Sequence, residues 1–84
     1  MKTSLILILL SFNTFAGKYV PVSEVPKNVN ETIQGYFPES KIQAAELEKK
    51  FGANVYELKV KYKDILLEIE VNENGKLRDL ELER

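Results

Sequence analysis

The stretch from residue 56 to residue 71, YELKVKYKDILLEIEV, decides the fold of this chain. Apolar and charged residues alternate on both sides of Lys63-Asp64, the pattern of two half-buried β-strands joined by a two-residue turn. This register collects the apolar residues on one face and the charged residues, such as Lys59 opposite Glu68, on the other. The predicted apolar pairs are Tyr62 with Ile65, Val60 with Leu67, Leu58 with Ile69, and Tyr56 with Val71, and Glu57 falls opposite Glu70.

A further strand is predicted after this hairpin. The segment Asn72–Gly75 has the composition of a turn, and Gly75 suits a left-handed backbone conformation. Uninterrupted alternation after the turn would direct acidic residues into the core. A bulge near Arg78-Asp79 is therefore predicted, which returns Leu80 and Leu82 to the apolar side.

The segment before the hairpin changes from helical to strand periodicity. A helix is predicted from Pro26 to Tyr36, closed by Pro38. Alternation resumes at Lys41, which indicates a first strand. The apolar residues of the helix form one stripe, made of Val29, Ile33, Tyr36 and Phe37. The strand begins with a weaker alternation of apolar residues, namely Ile42, Ala44 and Leu47.

These elements predict an α+β fold, with one N-terminal helix packed on a four-stranded antiparallel sheet connected as a meander. Residues 17–22 are interpreted as a lead segment, because Pro21 discourages regular structure, and residues 23–84 as a single domain. The helix covers one face of this sheet. Charged residues cover the other, with Leu66 as the exception.

Residues 1–16 have the pattern of a cleaved signal peptide. Lys2 precedes the apolar run Leu5–Leu10, and Thr14 and Ala16 supply the small residues of a cleavage site after Ala16. The alternative, a transmembrane anchor, needs roughly 20 apolar residues, and this run is too short. No cysteine follows for lipid attachment. We therefore expect a periplasmic protein without a membrane anchor in its mature form.

The composition excludes most catalytic and metal chemistry. The chain has 84 residues, with no cysteine and no histidine, which removes thiolate nucleophiles, zinc fingers, haem imidazoles and Ser-His-Asp triads. With 12 Lys+Arg against 13 Asp+Glu, it lacks the basic excess typical of nucleic-acid binding. Asn72 and Asn74 resemble part of a calcium loop, but a plain hairpin turn is the better interpretation. We expect neither an enzyme nor a bound metal or cofactor.

Paired carboxylates are the remaining candidates for acid–base chemistry. Glu46 with Glu48, and Glu68 with Glu70, lie two residues apart and share a strand face, as a glycosidase-like pair could. On a solvated face they are expected to keep ordinary acidity, because raising a carboxyl pKa requires burial that a thin domain does not offer.

Several short motifs resemble a known family. They are Val25-Pro26 opening the helix, Tyr36-Phe37-Pro38 closing it, Ala45-Glu46-Leu47-Glu48, Tyr56-Glu57-Leu58, and the run from Glu70 to Leu77. Together they resemble the PepSY-like, β-lactamase-inhibitor-like domains of exported bacterial proteins. The turn Lys63-Asp64 departs from the Asp-Gly type common in that family. The resemblance implies the same fold and a non-enzymatic binding role, such as restraint of a peptidase or another exported enzyme, and it supplies no catalytic residues.

Partner binding is predicted through the charged sheet face, a sheet edge or the first hairpin tip. Tyr36, Phe37, Tyr56 and Tyr62 are expected in the core, whereas Phe51 either folds back over the sheet end or protrudes as an anchor. The predicted function is a small exported binding module, an inhibitor or regulator of another exported protein; the alternative is a small-ligand or cation-binding envelope protein. The predicted partner-binding residues are Phe51, Glu57, Lys59, Lys61, Leu66, Glu68 and Glu70.

Overall fold

A computed structural model describes residues 17–83 as one antiparallel sheet with a short helix packed on it. The predicted signal peptide lies outside the described residues. The elements, in chain order, are β1 (Lys18–Val20), a 3₁₀ turn (Val22–Glu24), α1 (Lys27–Tyr36), β2 (Lys41–Lys50), β3 (Ala53–Tyr62), β4 (Ile65–Asn72) and β5 (Leu77–Leu82). No helix of the described part is long and apolar enough to cross a membrane.

The sheet has five strands, so the predicted four-stranded sheet is wrong. The additional strand, β1, lies in the segment that was interpreted as an irregular lead. It pairs with the middle of β2, with Tyr19 opposite Glu46. A strand of three residues is too short to show a period of two, and Pro21 directly after it hides the signal further. The strand order β1-β2-β3-β4-β5 is a consecutive meander.

The central hairpin adopts the predicted register. Tyr62 lies opposite Ile65 and Leu58 opposite Ile69, so the apolar side chains of β3 and β4 share one face, except Val55 and Leu66. The turn at Lys63-Asp64 closes the hairpin, with Lys63 at φ 57°. Periodicity was sufficient here because a one-residue slip would move every apolar side chain to the other face.

The helix buries its apolar stripe against this face. Val29 and Ile33 are fully buried with Leu58, Val60 and Ile69 in one core cluster. Pro26 occupies the N-cap position, one residue before the helix, and its missing N–H costs no hydrogen bond there. Tyr36 was predicted to join the core but is 61% exposed, because the helix ends as its stripe turns away from the sheet.

Two bulges adjust the sheet at its margins. In β2 the extra residue is Gln43, so that Ile42 and Ala45 both face the helix and Ala44 faces away. This bulge explains the weak alternation at the start of the strand. In β5 the pairs Val71–Leu77 and Glu70–Asp79 leave Arg78 as the extra residue, which confirms the predicted bulge.

The bulge in β5 restores the face of the last two leucines but not their burial. Leu80 lies opposite Ile69 and Leu82 opposite Leu67, on the helix side of the sheet, yet they are 43% and 57% exposed. Among the strands, α1 packs most closely on β4. The helix therefore leaves the margin formed by β5 uncovered, and the prediction that these leucines enter the core is wrong.

Candidate functional site

The face of the sheet opposite α1, here called the open face, is the candidate site. No helix among residues 17–83 covers it. Because side chains alternate along strands, the pairing register determines which residues share this face. The charged residues at its paired strand positions are Glu46, Glu48, Lys41 and Lys50 from β2, Glu57, Lys59 and Lys61 from β3, Glu68 and Glu70 from β4, and Asp79 and Glu81 from β5.

A row of carboxylates crosses the open face from strand to strand. Glu46 lies opposite Glu57, Glu57 opposite Glu70, and Glu70 opposite Asp79. Adjacent strands are separated by only about 4.8 Å, so like charges in directly opposite positions repel. Full ionisation of this row would therefore be unfavourable, and a cationic partner would relieve the repulsion between its carboxylates.

Glu57, in the middle of the row, binds its proton unusually tightly. Partial burial, a hydrogen bond with the Glu68 carboxyl and repulsion from Glu68, Glu70 and Glu48 together raise the pKa of Glu57 from 4.5 to about 8. At neutral pH its carboxyl is therefore largely protonated. Glu57 was not among the paired carboxylates expected to keep ordinary acidity, but Glu46 was, and its pKa is raised as well. That expectation is wrong for Glu46, because neighbouring side chains exclude water without any covering layer.

Glu46 is the most enclosed carboxylate of the row. Glu46 is only 7% exposed, and its Oε1 is buried and has no hydrogen-bond partner. Burial, followed by repulsion from Glu48 and Glu68, raises the pKa of Glu46, whereas Lys59 lowers it. An enclosed oxygen with an unused acceptor site is costly and is ready to accept a hydrogen bond from an incoming donor.

One lysine bridges part of the face above its central strand. Lys50 Nζ lies 2.8 Å from Glu70 Oε2 and 3.4 Å from Glu48 Oε2, so its side chain reaches from β2 to β4. Val55 of β3 lies between these two strands on the open face and is fully buried, although it is outside the helix-side core. Hydrogen bonding to Glu70 raises the pKa of Lys50 above its ordinary value and keeps the bridge charged.

The remaining cations of the open face flank the row. Lys59 Nζ is 2.7 Å from Glu83 Oε2. Arg78 approaches Glu70 Oε1 at 4.0 Å from the bulge in β5. Lys61 lies at the end of β3 opposite Leu66 and is exposed. The cations therefore surround the row without neutralising all of its carboxylates.

The structure brings together most of the predicted partner-binding residues and separates one. Glu57, Lys59, Lys61, Leu66, Glu68 and Glu70 all lie on the open face. Phe51 lies in the turn between β2 and β3, with φ 54°, and is 96% exposed. It protrudes from the hairpin tip instead of folding over the sheet end, at the opposite end of β3 from Lys61.

Sequence reasoning did not assign Glu46, Asp79 and Glu81 to the binding face. The alternation of Ala45-Glu46-Leu47 indicated where Glu46 points, but not which residues of the other strands lie beside it. Asp79 and Glu81 follow from the predicted bulge, which already directed both toward the charged side. The usable signal was the combination of three hairpin registers, which aligns residues far apart in sequence.

No group of three or more acidic side chains in residues 17–83 is arranged to hold a metal ion. The open face is broad, and its carboxylates lie side by side along a flat sheet, a geometry suited to several cationic groups at separate positions. Comparisons with protein-family models, with curated proteins and with solved structures gave no match.

Proposed function

We propose that this protein is a non-enzymatic binding module, exported to the periplasm, that docks through its open face on a basic surface of another exported protein. The observation that carries this proposal is the carboxylate row Glu46–Glu57–Glu70–Asp79 on a sheet face that no described helix covers. The resemblance to PepSY-like domains adds the expectation that the partner is an enzyme, restrained when the module covers its surface.

Electrostatic complementarity supports a basic partner. Protonation of Glu57 reduces the repulsion within the row of the free protein at neutral pH. Approaching lysine or arginine side chains would allow the whole row to ionise and would supply a donor to the unpartnered Oε1 of Glu46. The Glu57 proton adds a pH dependence, because a cation favours the ionised carboxylate and binding then releases the proton. Association should accordingly weaken at high salt and at mildly acidic pH.

The test is chemical crosslinking and affinity capture of exported proteins with the full-length gene product and two double variants. Glu68→Lys with Glu81→Lys reverses charge on the open face, whereas Glu24→Lys with Glu39→Lys makes the same charge change elsewhere. We expect one basic partner, captured by the parent and the control but lost with the open-face variant. Capture of no specific partner, or its retention by the open-face variant, would refute the proposal.

Processing of the N-terminus is tested on the same purified material. If the signal-peptide prediction is right, the mass of the exported protein starts at Gly17. A mass corresponding to an uncleaved chain would remove the basis for the periplasmic assignment.

Small cations are a second candidate ligand for the same face, favoured by the unused acceptor at Glu46. Spermine and calcium would each be titrated against the melting temperature. A saturable rise that Glu46→Gln abolishes would support this candidate, and an unchanged melting temperature would eliminate it.

A further inference from the structure

β5 is an edge strand, and within the described residues no strand lies on its outer side. Within the described residues, β5 pairs with β4 on one side and with no strand on the other. The Glu83 N–H donates to the Leu66 C=O at 2.9 Å, which fixes the direction of the ladder. Since bonded and non-bonded pairs alternate in antiparallel sheets, the N–H and C=O groups of Leu80 and Leu82 point outward, away from β4.

The side chains of β5 alternate sharply in chemistry. Leu80 and Leu82 face the helix side and are exposed, and Ile65 of β4, 44% exposed, extends the same apolar margin. Asp79 and Glu81 face the other way and continue the acidic open face to the edge. An incoming strand would meet an apolar strip on one side and a line of carboxylates on the other.

We propose that β5 receives an extended segment of a partner protein as a sixth strand, and that this segment alternates apolar and basic residues. Its apolar side chains would pack on Leu80, Leu82 and Ile65, and its lysines or arginines would lie beside Asp79 and Glu81. Main-chain hydrogen bonds supply affinity in this mode of recognition, and the alternating side chains supply specificity. This inference rests on the proposed function and specifies how the partner docks.

Charge disfavours a second copy of this chain as the occupant. Pairing of β5 with its twofold-related copy keeps leucines with leucines but places Asp79 and Glu81 opposite carboxylates of the copy. Pairing with β1 of another copy would bring Lys18 among the leucines, since Lys18 lies on the helix side with Leu47. The bulge at Arg78 further limits the regular part of β5, and Arg78 is already directed to Glu70 and Asn72.

The test uses the protein expressed from the full-length gene and two labelled peptides of identical composition. In one peptide valine and lysine alternate; in the other the valines and lysines form separate blocks. We expect the alternating peptide to bind about tenfold more tightly, a ratio measured by fluorescence anisotropy. Hydrogen exchange at the Leu80 and Leu82 amides should slow only with the alternating peptide.

The variant Leu80→Pro removes an outward N–H without removing a bond to β4, so the sheet can retain its ladder. This variant should bind the alternating peptide about tenfold more weakly than the parent does, and its affinity for the block peptide should be unchanged. The double variant Leu80→Thr with Leu82→Thr tests the apolar strip independently and keeps residues suited to strands. Circular dichroism confirms that each variant is folded, and loss of preference for the alternating peptide is expected in both.

Three results would overturn the inference in distinguishable ways. Equal binding of both peptides, unaffected by either variant, would place the partner on the flat open face and leave the proposed function standing. Absence of binding by either peptide would remove the basic partner and the proposed function with it. A dimer in sedimentation experiments, displaced by the peptide, would show that a second copy occupies β5.

Discussion

Replacement of Glu57 by glutamine should stabilise the protein at and above neutral pH. The pKa of Glu57 is raised from 4.5 to about 8, first by burial and then by Glu68, Glu70 and Glu48. A carboxyl that binds its proton more tightly in the folded protein than in the unfolded chain favours folding at low pH. That contribution is lost as the pH rises through about 8. Wild-type stability should therefore fall between about pH 5 and pH 8.5.

The magnitude follows from the proton affinity and the exposure of the side chain. Each tenfold change in proton affinity is worth about 1.4 kcal/mol, so a carboxyl sealed from water would lose about 5 kcal/mol over this range. Glu57 lies on an uncovered face, where solvent screens its charged form, and we expect about 1–2 kcal/mol. Glu57→Gln, which cannot ionise, should gain this amount at pH 8.5 and nothing at pH 4.

Urea unfolding followed by circular dichroism at a series of pH values measures the effect. The matched control is Glu24→Gln, which removes an exposed carboxylate away from the open face. The curves for wild type and Glu57→Gln should converge at low pH and separate above neutrality, while the control follows wild type. Parallel curves, or a wild type whose stability rises from pH 5 to 8.5, would refute the electrostatic account of the row.

Three further substitutions probe the core, a turn and the hairpin tip. Ile69→Ala should lower the free energy of unfolding by about 3 kcal/mol, because Ile69 is fully buried beneath the helix; a loss below about 1 kcal/mol in urea unfolding would contradict this packing. Gly75→Ala should lower the free energy of unfolding by about 1–2 kcal/mol, because φ at this residue is 95° and a Cβ would lie 3.2 Å from Thr32 Oγ1 and 3.3 Å from Asn28 O. An unchanged melting temperature would refute this strain. Phe51→Ser should change stability by less than about 0.5 kcal/mol, because the ring is 96% exposed, and a larger loss by thermal melting would show that the ring packs in solution.

The sequence predicted the central part of the sheet because its signal is redundant. Every apolar residue from Tyr56 to Val71 except Leu66 supports the same register, and the turn at Lys63-Asp64 agrees with it. The bulge at Arg78 followed from the need to keep acidic residues out of the core. Both inferences use neighbouring strands of a hairpin, where local pattern and pairing coincide.

Short or irregular elements gave no such redundancy. β1 contributes only three residues, and its strand conformation is stabilised by pairing with the middle of β2. The bulge at Gln43 interrupts alternation at the start of β2 and cannot be distinguished in sequence from weak periodicity. These features depend on hydrogen bonds to distant residues, which a local pattern does not encode.

The sequence by itself determined the alternation that separates an apolar face from a charged one, the turns, and the absence of thiol and imidazole chemistry. Only the tertiary structure decided that Glu46, Glu57, Glu70 and Asp79 form one row, and that the helix stops short of Leu80 and Leu82. The physical reason is that the pairing registers of several strands and the packing of the helix together decide which side chains are neighbours. They also decide how much water reaches those side chains. Charge and proton affinity at the open face arise from residues that meet only when the sheet is complete.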